Sequence, residues 1–208
     1  MDRLVLLEST ALPFPVDNVD TDVITPIRRI LEGLPSMVEH AFEPLRFAAD
    51  GSLNPACALN DPRWKDAGIL LAGRNFGCGS SRETAVWAVR GMGFRCVIAP
   101  SFGDIFRSNC FKNGVVAIVL AAEQVTALVE EARAGTKRFR VDVERCEVTA
   151  PGGRTFAFEL SPLRREALLE GLDDLALTLR RSAAIEHFED VDRVRRPWVY
   201  LASGRVAD

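Results

Sequence analysis

Apolar residues fall in short bursts along this chain, and their spacing switches between two periods. Arg3 to Glu8, Ile69 to Ala72, Phe94 to Ala99 and Val115 to Leu120 are compact runs of strand length. The last three read as buried strands, and Val115 to Leu120, nearly pure apolar, as one covered on both faces. Between them the period lengthens to that of a helix. Ala85, Val86, Ala88 and Val89 share one face, as do Val125, Leu128, Val129 and Ala132. These spacings predict helices over residues 82–92 and 121–134, with Ser80 or Ser81 capping the first and Glu83 in its opening turn. A shorter helix is predicted over 104–109, before a turn at Asn109 to Gly114. Strand, turn, helix, strand is the rhythm of an α/β fold.

The flanking segments are less regular. Ser36 to Phe47 reads as a helix capped by Ser36 and ended or kinked by Pro44. Phe139, Val141 and Val143 alternate with Arg140 and Asp142, and Pro151-Gly152-Gly153 separates two further alternating runs, predicting a hairpin within 139–160. Ser161-Pro162 opens a helix. Ala176 to Arg181 fits a strand or a helical turn, and a last helix over 182–191 is capped by Ser182. One domain is predicted over residues 1–192. A partly flexible tail follows over 193–208, with Pro197-Trp198 as its anchor.

Composition narrows the function. The 208 residues carry 26 basic and 29 acidic side chains, a net charge of −3, which gives no general attraction to nucleic acid or an anionic membrane. No apolar stretch approaches spanning length. Five cysteines stand far apart, without a CxxC pair, and only two histidines are present, so a metal or iron–sulfur site built by this chain alone is poorly supplied. The odd cysteine count and the lack of a signal segment point to a reducing, cytoplasmic setting.

Three segments carry chemistry. Asp17-Asn18-Val19-Asp20-Thr21-Asp22 packs short acceptors between apolar neighbours, suiting either Asx turns in a solvated loop or the orientation of a partner side chain. Gly73-Arg74-Asn75-Phe76-Gly77-Cys78-Gly79-Ser80-Ser81-Arg82-Glu83 joins a buried strand to a helix start through glycines. Free N–H groups there face an anion, and Arg82 adds a two-pronged grip on a carboxylate or phosphate. Ser101-Phe102 precedes Asp104 at a third strand end. Neither a Walker loop nor a dinucleotide fingerprint is present. A serine triad or a cysteine nucleophile at Cys78 lacks an evident base. What remains is a serine beside an arginine at a helix N-terminus, able to bind a dicarboxylate or to hold a serine alkoxide.

These three segments, with Asn109-Cys110-Phe111-Lys112-Asn113-Gly114 and Leu168-Leu169-Glu170-Gly171-Leu172-Asp173-Asp174, resemble the 3-isopropylmalate dehydratase small subunits, of the aconitase-like swivelling-domain family. The resemblance runs over roughly residues 4 to 198. It implies a β/β/α swivelling domain, a mixed sheet flanked by helices. It implies a heterodimer in which a large subunit carries a 4Fe–4S cluster and this chain binds neither cofactor nor metal. The implied reaction is dehydration and rehydration of 2-isopropylmalate to 3-isopropylmalate, a small dicarboxylate hydroxy acid in leucine biosynthesis. Ser80 then matches the catalytic base and Arg82 the arginine that holds substrate carboxylate. Ser81 and Gly79 complete the anion pocket. Asp20, Thr21 and Asp22 shape the site from the other side, and Arg28 and Arg29 lie in the specificity loop, Ile27 to Leu34. Two departures stand out. Thr84 replaces the family's common histidine, and Ile27-Arg28-Arg29-Ile30-Leu31 replaces an aromatic or leucine-rich approach. The added positive charge favours a third substrate carboxylate or faces solvent. The small subunit of a citraconate/methylmalate hydratase or a homoaconitase therefore stays open, as does a non-catalytic dicarboxylate-binding module, and self-association without the large subunit.

Overall fold

The computed structural model describes residues 1–200. In chain order its elements begin with β1 (Leu6–Ser9), β2 (Ala11–Phe14), α1 (Thr21–Ile24), α2 (Ile27–Glu32), α3 (Leu34–Glu39) and α4 (Glu43–Arg46). Next come β3 (Ile69–Ala72), α5 (Glu83–Gly91), β4 (Cys96–Ala99), α6 (Asp104–Lys112), β5 (Val116–Val119) and α7 (Ala122–Arg133). The chain continues through β6 (Phe139–Asp142), β7 (Glu147–Thr149), β8 (Thr155–Ala157), α8 (Pro162–Glu170), α9 (Asp174–Leu179) and α10 (Ser182–Arg195).

Parallel and antiparallel pairing are divided between two four-stranded sheets. One has the order β2-β3-β4-β5 and is parallel throughout. The other, β1-β6-β7-β8, is antiparallel throughout. The α/β class and the hairpin region over 139–160 are as the pattern implied. The uncharged strands are the reason for the first sheet: β3 and β4 are buried along their whole length, as parallel strands under helices must be. Helix α7 lies across β2, β3 and β4, while α5 and α6, the crossovers between β3, β4 and β5, pack on each other. No helix among the described residues is long and apolar enough to cross a membrane.

Several local expectations are corrected. Strand β2 has no counterpart in the apolar pattern because Pro13 interrupts it. It pairs on one side only, with β3, and at a sheet edge the missing proline N–H costs little. The single helix expected over 36–47 is broken in two, since Phe42 adopts a left-handed φ of 56° and buries its ring against Phe14 and Phe76. Pro44 sits in the first turn of α4, starting a helix instead of ending one. Helix α6 runs on to Lys112. Neither Ser80 nor Ser81 caps α5, whose N-cap is Arg82, and Ser182 is the first helical residue of α10, not its cap. Ser161 does cap α8, accepting from Arg164 N–H. The open choice at 176–181 resolves as helix α9, capped by Asp173.

Helix α10 runs across residue 192 without a break. The chain after it is held through Asp192, which is 5% exposed and accepts from Arg196 and from the Tyr200 hydroxyl at 3.0 Å. Trp198, 65% exposed, is not the anchor. The end of the expected tail, residues 201–208, lies outside the described residues.

Candidate active site

The three chemistry-bearing segments follow β2, β3 and β4, adjacent strands of the parallel sheet, and all leave from the carboxyl edge where such sheets present their sites. Backbone hydrogen bonds lace them together beyond the strand ends. Asn18 N–H donates to Arg74 C=O (2.8 Å), Gly77 N–H to Val19 C=O (2.7 Å) and Thr21 N–H to Cys78 C=O (2.9 Å). On the other side Phe76 N–H donates to Ser101 C=O (3.1 Å) and Gly103 N–H to Phe76 C=O (2.9 Å). The glycine loop is thus clamped between its two neighbours.

Side chains reinforce the clamp. Asp17 Oδ1 accepts from Arg74 N–H (2.7 Å), and Ser101 Oγ accepts from Asn75 N–H (2.8 Å). Asn18 and Asn75 both take left-handed φ values, 56° and 55°, and Asn75 Nδ2 donates to Asn18 Oδ1 at 2.9 Å. Asparagine tolerates that region better than other side chains, which is the signal that marks the pair in the sequence. Glycine is required at two places for different reasons. A Cβ on Gly73 would meet the Val16 backbone at 2.4 Å, so the two loops touch main chain to main chain. Gly77 has φ +71°, and a Cβ there would lie 2.2 Å from the Phe106 ring. That ring belongs to a cluster with Phe76 and Phe102 that floors the loop.

On this frame sits the pocket. Helix α1 is capped by Asp20, whose Oδ1 accepts from Val23 N–H (2.7 Å). The cap turns Thr21 inward, leaving it 1% exposed, with Oγ1 3.0 Å from Ser80 Oγ. Gly79, Ser80 and Ser81 are exposed, so the serine hydroxyls are open to a ligand. Arg82 lies beside them with its guanidinium paired to Asp22. No side chain caps α5, so its first N–H groups remain available to an anion. The structure therefore brings together Asp20, Thr21, Asp22, Gly79, Ser80, Ser81 and Arg82. Thr84, in the first turn of α5, has a buried hydroxyl with no partner among the described residues.

Arg28 and Arg29 do not join this group through any bond they make. Arg29 Nε and Nη2 donate to Glu43 (3.0 and 2.6 Å) and Nη1 to Glu32 (2.8 Å), while Arg28 Nη2 lies 2.8 Å from the same Glu43. The two arginines hold the Glu43 carboxyl down to about 2. Arg28, Arg29 and Glu43 line, with His40 and Phe47, a separate cavity of about 470 Å³. The positive charge of Arg28 and Arg29 meets its counter-charge within α2 and α4, on Glu32 and Glu43.

Among the described residues no three His, Cys, Asp or Glu side chains gather to hold an ion. Burial pushes the thiols of Cys96 and Cys110 far above their ordinary range, the opposite of what a thiolate ligand needs.

A parallel sheet whose carboxyl-edge loops present a serine and an arginine beside a free helix start is the arrangement for which the comparisons with known proteins give a family. The aconitase C-terminal domain family matches residues 15–123. The small subunit of 3-isopropylmalate dehydratase from Paracoccus denitrificans is 45% identical over 202 residues, 96% of this chain and 100% of that one. The small subunit from Gluconacetobacter diazotrophicus is 47% identical over 200 residues, covering 95% and 97%. A crystal structure of 3-isopropylmalate dehydratase from Methanocaldococcus jannaschii superposes with a TM-score of 0.64 at 25% identity, covering 88% of this chain and 99% of that one. The chain belongs to the 3-isopropylmalate dehydratase small-subunit family.

Proposed function

We propose that this chain, joined to a large subunit, interconverts 2-isopropylmalate and 3-isopropylmalate by dehydration and rehydration. The observation that carries the reading is the exposed Ser80 hydroxyl, held by Thr21 beside Arg82 at the start of α5. Loss of water across two carbons needs a base for the carbon-bound proton and an electrophile for the hydroxyl. Ser80, as an alkoxide, is the base. Arg82 and the N–H groups at the start of α5 supply the positive potential that makes an alkoxide attainable. The same arginine offers a bidentate seat for a substrate carboxylate once Asp22 yields it. Gly79 and Ser81 line the anion pocket. Asp20 fixes the turn that delivers Thr21 and Asp22.

The electrophile would belong to the large subunit, in our reading a 4Fe–4S cluster, which when bound there would supply a Lewis acid for the hydroxyl. An exposed apolar stripe on α10, Ile185, Phe188, Val191 and Val194, supports a chain that works inside an assembly. The setting is cytoplasmic. Arg29 is left out of the substrate site in this reading, because Glu43 and Glu32 occupy three of its donors; Arg28, 66% exposed, spends one Nη2 contact on Glu43 and keeps its other donors for a ligand.

The test is substrate selectivity of the reconstituted pair. Turnover of 2-isopropylmalate well above that of citraconate, 2-methylmalate and homoaconitate is the expected result. Preference for one of those three assigns the chain to a related hydro-lyase. Tight dicarboxylate binding by the isolated chain, with no turnover by any reconstituted pair, makes it a binding module.

A further inference from the structure

Thr21 meets Ser80 at three points through a single hydroxyl. Its Oγ1 lies 3.0 Å from Ser80 Oγ and 3.2 Å from Ser80 C=O, and it accepts from Ser80 N–H at 3.3 Å. A hydroxyl has one proton, so Thr21 cannot donate to both Ser80 oxygens at once. While Ser80 keeps its proton, that O–H donates to Thr21 Oγ1 and the Thr21 proton goes to the Ser80 carbonyl. Once Ser80 is an alkoxide it has nothing to donate. Rotation about the Thr21 Cβ–Oγ bond then turns the Thr21 proton onto the charged oxygen, where the bond is charge-assisted. The abandoned carbonyl is not orphaned, since Arg82 N–H holds it at 3.0 Å. Both arrangements use the same heavy-atom positions.

We infer that Thr21 is a positioning residue for Ser80, a buried hydroxyl rotor that follows the charge of the base. The inference rests on the reading of Ser80 as that base. In the forward step the substrate C–H bond breaks, its proton forms the Ser80 O–H bond, and the electron pair stays on the substrate carbon. Thr21 keeps its own proton throughout and changes only its direction. The stage is rigid: Thr21 N–H donates to Cys78 C=O (2.9 Å) and Thr21 C=O accepts from Thr25 N–H (2.9 Å), and a β-branched side chain at 1% exposure has little rotamer freedom. The charged or titratable groups around the pair are Asp20 and Asp22 on the α1 side, and Cys78, Arg82 and Glu83 on the loop and α5 side. Asp20 is taken by Val23 N–H, Asp22 by Arg82 and Glu83 by Asn113. The Thr21 hydroxyl, 3.0 Å from Ser80 Oγ, is thus a donor already in contact with the base and free to change partner.

The test uses the assembled two-subunit enzyme with Thr21→Val, Thr21→Ala, Thr21→Ser and Ser80→Ala. Removing the hydroxyl with Thr21→Val is expected to lower kcat about tenfold or more with KM changed less than about threefold. It also moves the acidic limb of the kcat–pH profile up by about one pH unit, since a tenfold loss of alkoxide stability is one unit. Thr21→Ser restores both within about threefold. Thr21→Ala gives the same readings should the valine variant fail to assemble. A pH limb that stays at its wild-type position in the hydroxyl-free variants, or a serine variant as impaired as valine, overturns the inference. Full activity in Ser80→Ala would instead remove the base itself. An inactive Ser80→Ala beside an unaltered Thr21→Val removes the role of Thr21 alone.

Discussion

Arg82 is paired with Asp22, an acidic residue sixty positions earlier in the chain. The contact joins the glycine loop to α1, and on the proposed reading it sets a carboxylate of the protein against the arginine that is to receive the substrate's. Asp22 is more exposed than Arg82, 57% against 21%, so it is the partner free to swing away.

Asp22→Asn removes that internal competitor. An ion pair of this exposure is worth about 0.2–1 kcal/mol. The variant should therefore bind dicarboxylate up to about fivefold more tightly. The KM for 2-isopropylmalate in the reconstituted enzyme checks this. A KM that rises instead shows that Asp22 holds Arg82 in its working pose.

Gly77 is where the loop has least freedom. A side chain there meets the Phe106 ring and must also sit at φ +71°. Gly77→Ala should cost about 2–4 kcal/mol, combining left-handed strain with overpacking. A thermal melt is expected to fall by about 5–15 °C. An unchanged melt would mean that the aromatic floor yields without cost.

Glu43 ties Arg28 and Arg29 together. Its carboxyl drops from the usual 4.5 to about 2 because Arg29 donates two hydrogen bonds to it. A lowered carboxylate contributes stability that is fully present above its unfolded value and is lost as the pH falls toward the folded one. The wild-type chain should therefore lose this contribution between about pH 4.5 and pH 2. Glu43→Gln should be less stable at pH 7, and the gap between the two should close across that window. Parallel melts of both proteins from pH 7 to pH 2 read it directly.

Cysteine reactivity separates buried from accessible thiols. Burial holds the Cys96 and Cys110 protons tightly, while Cys78 and Cys146 are partly open. Timed alkylation of the native chain, followed by mass mapping, should label Cys78 and Cys146 first. Early labelling of Cys96 or Cys110 would contradict their full burial in β4 and α6.

The α/β rhythm was legible because β3, β4, β5, α5 and α7 each carry their period without interruption. The Asp17–Asp22, Gly73–Glu83 and Ser101–Phe102 segments stood out for their small and short polar residues, and they proved to be neighbours at one sheet edge. The misses have physical causes. Pro13 disguised an edge strand, because a pattern cannot say which strand lacks a neighbour. Phe42 broke a helix whose local sequence favours continuing, since burying its ring against Phe14 and Phe76 outweighs a strained backbone. Arg29 shows no sign in the sequence of its ion pair with Glu43, fourteen residues later, because only the fold brings α4 back onto α2. The Thr21–Ser80 contact spans 59 positions and follows from the pairing of two loops, which no local pattern encodes.

The most direct measurement is turnover of 2-isopropylmalate by Ser80→Ala, paired with its large subunit and shown by sedimentation to assemble normally. Loss of a base at the reacting carbon should lower kcat by about 10²–10⁴-fold, with dicarboxylate binding retained through Arg82. Wild-type turnover in that assembled variant would contradict the assignment of Ser80 as the group that moves the proton.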